Sequence, residues 1–227
     1  MSQSKTNQNF SVVSFVRQYG IWIGVVLLAI LFAWFLSTSS RSGGSSDLSS
    51  FLIPAFDDHF YRDVQEGDMT IIEYSDFQCP ACASHDRVLR SVLEEYDNVS
   101  LVYRHFPLES IHKYAVLSAR ASEAAAFQGK FWEMHSELFD NQSTWSSARD
   151  EESVTEIFVS YAQKIGLDID QFREDLSSDM IAARVDRDAK AAGSLRLRGT
   201  PTFFVDGKEI ANPSSEQEWR DLLGETL

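Results

Sequence analysis

The residues of this chain best suited to chemistry lie in EYSDFQCPAC, residues 73–82. The stretch holds the only two cysteines, Cys79 and Cys82, three positions apart. A disulfide between them closes so short a loop that it removes little entropy from the unfolded chain. With 44% hydrophobic residues the chain can build a core without such a staple. A structural zinc site wants four ligands. Here there is no third cysteine, and His85, which extends the pattern to C-x2-C-x2-H, supplies only a third ligand. No metal site and no cofactor are expected. Covalent haem needs a histidine directly after the second cysteine, where Ala83 stands. The chemistry that fits is a reversible thiol–disulfide couple.

Its position along the chain strengthens that reading. MTIIEYSD, residues 69–76, has the run of apolar and β-branched residues expected of a buried strand. Pro80 suits the first position of a helix, where its missing N–H is not needed. Val88, Leu89, Val92, Leu93 and Tyr96 continue at helical spacing. Cys79 is then the helix cap, facing unpaired backbone N–H groups and the positive end of the helix dipole. Both favour the thiolate, the reactive form. Cys82 lies one turn further in on the same face, able to attack a mixed disulfide formed at Cys79. Glu73 sits six residues before Cys79 in an otherwise apolar strand. A buried carboxylate is costly unless it is paired or functional. His85 is expected on the exposed side of the helix. His59, His105, His112 and His135 have no partner the sequence assigns, and are expected in surface or capping roles.

The elements that must position these residues follow from periodicity. VSLVYRH, residues 99–105, is a second strand, so strand, helix and strand within 37 residues form a βαβ unit with parallel pairing. Helices are expected over Ala115 to Gln128, over Lys130 to Phe139, through Val154, Ile157, Phe158, Tyr161, Ala162 and Ile165, and in two further segments before Gly193. TPTFFVDGKEI then predicts a hairpin turning at Asp206-Gly207. A last helix spans Ser215 to Leu223. The order β-α-β, helices, β-β-α predicts one α/β domain, its sheet built from both ends, with a helical insertion over about 110–195.

Upstream the composition changes. Residues 1–20 read as a short tail. Ile21 to Leu36 carries no charge, with Trp22 and Trp34 near its ends. With its flanks it reaches the roughly 17–25 residues of a membrane span. A cleaved signal peptide would have a shorter apolar run and a small-residue cleavage pattern. A buried soluble helix fits poorly with the polar tract that follows. Residues 37–50, STSSRSGGSSDLSS, hold eight serines and two glycines and form a tether with a reach of roughly 20 Å. Lys5 and Arg17 precede the span and Arg41 follows it, a bias that puts the amino terminus inside and residues 51–227 outside the membrane. The chain's net charge is −14, and without Lys5 and Arg17 the part beyond residue 40 carries −16, which with no basic stripe excludes nucleic acid as a partner.

TIIEYSDFQCPAC resembles the active-site segment of the DsbA-like branch of the thioredoxin superfamily. YRHFPL, QGKFWEMHSELF and RGTPTFFVDG are similar to further stretches of that branch. The resemblance covers roughly residues 57–227. It implies a thioredoxin-like fold with a helical insertion and disulfide exchange outside the cytoplasm. Cys79 would be the nucleophile and Cys82 the resolving cysteine. Thr200-Pro201 would be the cis-proline site, where the Thr200 backbone pairs with a client peptide as an added strand. Glu73 would move protons to and from Cys82. One departure is Pro80-Ala81 between the cysteines, where some oxidising relatives have a histidine. The resemblance implies reduced or unfolded client proteins and a quinone-linked membrane protein as reoxidant. A reductase or isomerase keeps the chemistry but reverses the flow. Phe51 to Gly67 is short for the dimerisation region that isomerases of this group carry. A peptide-binding chaperone with incidental cysteines is the non-enzymatic alternative.

Overall fold

The computed structural model describes residues 25, 27–32, 48–62, 65 and 67–226. The chain divides into two compact units, Met1–Asp47 and Leu48–Leu227. Of the first unit, residues 25 and 27–32 are described. They are helical, with Leu27, Leu28, Leu31 and Phe32 exposed. The rest of the expected span at 21–36, the tail at 1–20 and most of the linker at 37–50 lie outside the described residues. Among the described residues no helix is long and apolar enough to cross a membrane.

The second unit is a five-stranded sheet with six helices inserted between its third and fourth strands. The strands are β1 (His59–Phe60), β2 (Met69–Ser75), β3 (Val99–His105), β4 (Thr202–Val205) and β5 (Lys208–Ile210), in the order β1-β3-β2-β4-β5. β2 and β3 are parallel, Glu73 opposite Tyr103, and the helix α1 (Pro80–Leu93) makes the crossover. β4 runs antiparallel to β2, Glu73 opposite Phe203, and closes the expected hairpin with β5. Asp206 and Gly207 both take positive φ in that two-residue turn, as a primed turn requires. β1 is an edge strand antiparallel to β3. Two residues give no periodicity, which is why the sequence did not signal it.

The insertion comprises α2 (Ala115–Ala126), α3 (Phe131–Asp140), α4 (Gln142–Ser146), α5 (Glu151–Lys164), α6 (Ile169–Leu176) and α7 (Asp179–Ser194). α8 (Glu216–Thr226) ends the fold. Asp150, Asp168 and Ser178 cap α5, α6 and α7 through their side-chain oxygens, each satisfying an otherwise orphaned N–H.

Strand alternation sorts the core. Ile71, Leu101, Phe203 and Val205 face Leu89, Val92 and Leu93 of α1 and Trp219 and Leu223 of α8. Ile72, Tyr74, Val102 and Phe204 pack on the other side against Ala191 and Ala192 of α7. The period of two places Glu73 and Ser75 on the α1 side with Ile71. The largest apolar cluster joins Phe77, Cys82 and Tyr103 to the insertion helices through Phe131, Met134, Phe139, Trp145 and Phe158.

Buried charge ties the layers together. Arg104 donates to Asp58 at 2.7 Å, to the Ile53 carbonyl at 2.8 Å and to the Tyr74 hydroxyl at 3.1 Å, fastening residues 53–58 to the sheet. Glu123 of α2, 1% exposed, has His59 and His105 each 2.8 Å from one carboxylate oxygen and Arg184 of α7 at 2.7 Å from the other.

This corrects the histidine expectations. His105 closes a wholly buried strand, and His135 lies on the buried face of α3 with Phe131, Met134 and Leu138. Burial holds His135 well below the usual imidazole pKa, so it is neutral core. His85 is not on the exposed side of α1. It is half-buried, its ring 5.8 Å from that of Phe203, because α1 has the sheet on one side and the insertion near the other.

Candidate active site

The site starts at the turn between β2 and α1. Three side chains fix it. Asp76 Oδ1 accepts from the Gln78 N–H at 2.8 Å. Asp76 Oδ2 takes the Leu108 N–H at 2.9 Å and lies 2.7 Å from His112 Nδ1. Gln78 Oε1 accepts the Tyr114 N–H at 2.6 Å. From α4, the Gln142 amide donates to the carbonyls of Phe77 at 2.7 Å and Cys79 at 2.9 Å. The turn is thereby held by groups 32 to 65 residues away. Sequence reasoning missed all three of Asp76, Gln78 and Gln142. Asp76 and Gln78 stand inside the motif itself, and a polar pair in a buried turn was the available signal.

Cys79 is the N-cap of α1, with extended backbone and Pro80 at the first turn, and its side chain makes no capping bond. Both cysteines are free. Cys79 keeps 8% exposure and Cys82 none, so the outer sulfur alone meets a reaction partner. The Cys79 thiol lies 3.5 Å from the Thr200 carbonyl oxygen. The Thr200–Pro201 peptide is cis, and the Pro201 carbonyl is held by the Asn212 amide at 2.7 Å. The structure thus brings Cys79, Cys82, Pro80, Thr200 and Pro201 together, with Glu73 in the sheet behind them.

The electrostatics separate the two sulfurs. Hydrogen bonding from Cys82 pulls the Cys79 pKa down to about 5, against the opposing effect of burial, with help from Thr200 and the N–H groups of Cys82 and Ala81. Burial pushes the Cys82 thiol well up, and the charges of Cys79 and Glu73 add to it. Glu73 is 1% exposed. Burial raises its carboxyl to about 8, reinforced by the charges of Asp86 and Cys79 and opposed by Ser75. Its Oε1 and the Tyr103 hydroxyl are buried without a hydrogen-bond partner among the described residues. At neutral pH the arrangement is an outer thiolate, an inner thiol and a protonated carboxyl. No group of His, Cys, Asp and Glu side chains among the described residues is arranged to hold a metal ion.

Residues 64–225 match the thioredoxin family. This chain belongs to that family. Its fold is the one found in DsbA-like thiol–disulfide oxidoreductases. A thioredoxin-like oxidoreductase from Silicibacter pomeroyi superposes with a TM-score of 0.62 at 24% identity, covering 80% of this chain and 98% of the other. Wolbachia pipientis alpha-DsbA1 gives 0.64 at 19% identity over 78% of this chain and 94% of the other. BdbD from Bacillus subtilis gives 0.60 at 20% identity over 71% and 89%. Curated relatives carry a different name. The Na(+)/H(+) antiporter NhaA 3 of Salinispora tropica is 38% identical over 172 residues, 75% of this chain but 25% of that protein. NhaA 1 of Mycolicibacterium vanbaalenii is 38% identical over 208 residues, 87% of this chain and 32% of that protein. The chain spans about a quarter to a third of the length of these relatives.

Proposed function

We propose that this chain is a thiol–disulfide oxidoreductase that introduces disulfides into reduced client proteins. The observation that carries this is the asymmetry of the two sulfurs, an outer Cys79 at the start of α1 whose pKa is pulled down and a wholly buried Cys82 whose pKa is pushed up, beside the cis Thr200–Pro201 peptide, in which Thr200 is half-buried. In the oxidised enzyme a client thiolate attacks Cys79 Sγ. The Cys79–Cys82 bond breaks, a client–Cys79 disulfide forms, and Cys82 leaves as a thiolate that takes a proton from neutral Glu73. A second client thiolate then attacks the client sulfur of the mixed disulfide and expels Cys79 as thiolate. The client gains a disulfide and the enzyme is left as the dithiol. Cys79 leaves readily because its pKa is low. Stabilising it lowers the free energy of the dithiol, which makes the disulfide oxidising.

The same reading places the Cys79 domain outside the cell membrane. The apolar run at 21–36 is its single anchor, and a quinone-linked membrane protein is the reoxidant. Support for these parts is the composition of residues 1–50 and the positions of Lys5 and Arg17. Antiport, the activity in the curated relatives' names, belongs to whole proteins of which this chain covers a third or less, and is no part of the proposal.

The test is oxidative refolding of a reduced, disulfide-containing protein alongside insulin reduction, with wild type and Cys79→Ala. Refolding yield should rise with wild type and not with the variant. Equal activity of the two proteins defeats the enzymatic reading. A reduction potential near that of thioredoxin, about −270 mV, reverses the direction to reductase.

A further inference from the structure

A groove of about 400 Å³ opens at the segment that leads from α7 into β4, bordered by Arg196, Leu197, Arg198, Thr200, Pro201 and Glu209. It meets the reacting atoms at one residue: Thr200 lines it, and the Thr200 carbonyl lies 3.5 Å from Cys79 Sγ. Its charge runs against that of the molecule. The chain carries −14 overall, and several of the arginines among the described residues are neutralised. Arg90, Arg104, Arg173, Arg184, Arg187 and Arg220 each hold a carboxylate oxygen within 3.0 Å. Arg196 and Arg198 are exposed, and among the described residues neither side chain has an ion pair or hydrogen bond. Glu209 is the one carboxylate on the lining, leaving the groove with an excess of one positive charge.

The backbone supplies a second, independent observation. Arg196 has φ +58 just past the carboxy-terminal end of α7. Its N–H returns to the Gly193 carbonyl at 3.0 Å and the Leu197 N–H to the Ala192 carbonyl at 3.0 Å. That is the left-handed position closing a helix, where glycine is the residue without steric penalty. The chain keeps an arginine there and places Gly193 inside the helix. A non-glycine side chain held at a disfavoured backbone conformation on the rim of a site points to a function for it.

We infer that this groove favours client segments carrying an acidic side chain beside the reacting cysteine, with Arg196 and Arg198 as the residues that set the preference. This rests on the disulfide-exchange reading above and names the client chemistry it accepts. The two guanidiniums would both reach the one client carboxylate at the surface, each contact worth a factor of about two to three. Together they give about a five-fold preference, weakened by salt because the contacts are exposed.

The experiment uses the full chain and three dithiol peptides differing only in the residue next to one cysteine, which is Glu, Gln or Lys. Because the net charge attracts the Lys peptide at long range, the quantity read is the change in the Glu-to-Lys ratio of exchange rates between wild type and Arg196→Gly/Arg198→Ser. The ratio should fall about five-fold in the variant at about 0.1 M salt and change little at about 0.5 M. The Gln peptide should react equally with both proteins. Arg198→Lys should keep most of the preference. Arg196→Gly should melt no lower than wild type, which separates the recognition role from a folding role. An unchanged ratio overturns the inference. If no peptide reacts with wild type, the exchange reading has failed, and the groove is judged by fluorescence anisotropy of labelled cysteine-free peptides. There, tighter binding of Glu than Lys that is lost in the variant upholds the inference, and equal effects in both proteins refute it.

Discussion

The state of Cys79 in the dithiol enzyme can be predicted in magnitude. With a pKa of about 5, thiolate exceeds thiol by about a hundred to one at pH 7, whereas an unperturbed cysteine near 8.5 is mostly thiol. A pKa depressed by folding stabilises the folded dithiol fully above about pH 8.5. The contribution fades as pH falls and is gone below about pH 5. At pH 7 it amounts to at most about 3 kcal/mol. The sulfur reaches the surface, so solvent screening leaves about 1–3 kcal/mol, equivalent to about 20–60 mV toward an oxidising potential. The assay is the rate of iodoacetamide alkylation of Cys79 against pH, with thiolate ultraviolet absorbance as a second probe. The rate should be half-maximal near pH 5 and flat from pH 7 upward. Cys82→Ala removes the largest stabilising contact and should move the midpoint upward. Alkylation that keeps climbing to pH 8.5 without a plateau would refute the reasoning, since the helix end and Cys82 would then be leaving the sulfur unperturbed.

Further outcomes follow from the buried charges. Glu73→Gln should slow the step that protonates Cys82 by about a hundred-fold in stopped-flow exchange, yet raise the melting temperature at pH 7. A buried carboxyl raised to about 8 costs stability progressively as pH rises above about 4.3, up to about 3 kcal/mol at pH 7, and glutamine removes that cost. Glu123→Ala should destabilise by roughly 3–5 kcal/mol in urea unfolding, because Arg184, His59 and His105 lose their shared partner. Gln142→Ala removes two bonds to the active-site turn. It should lower stability by about 1–2 kcal/mol and shift the Cys79 alkylation profile without changing the neighbouring residues.

Local order decided what the sequence alone could determine. Strand, cysteine, proline and helix are consecutive, so their relation follows from backbone geometry. The placement of one sulfur at the start of α1 and the other one turn inside it is a consequence of adjacency. The order of strands and helices was legible because each long element buries one face and carries its period openly. Glu73 stood out because a carboxylate in a buried strand violates that pattern. What the tertiary structure decided are contacts across long separations, with no period to announce them. Asp76 meets His112 from 36 residues away, and Gln142 reaches Cys79 from 63. His105 and His135 looked like surface residues because a histidine's burial depends on what covers it. Here that is α2 and α3, with Glu123 between His59 and His105. Arg196 is an ordinary letter in SLRLRG until the end of α7 fixes it at positive φ beside Thr200. The sequence carries the reacting sulfurs, and the fold chooses the charges that surround them, because those are brought into range only when distant segments pack.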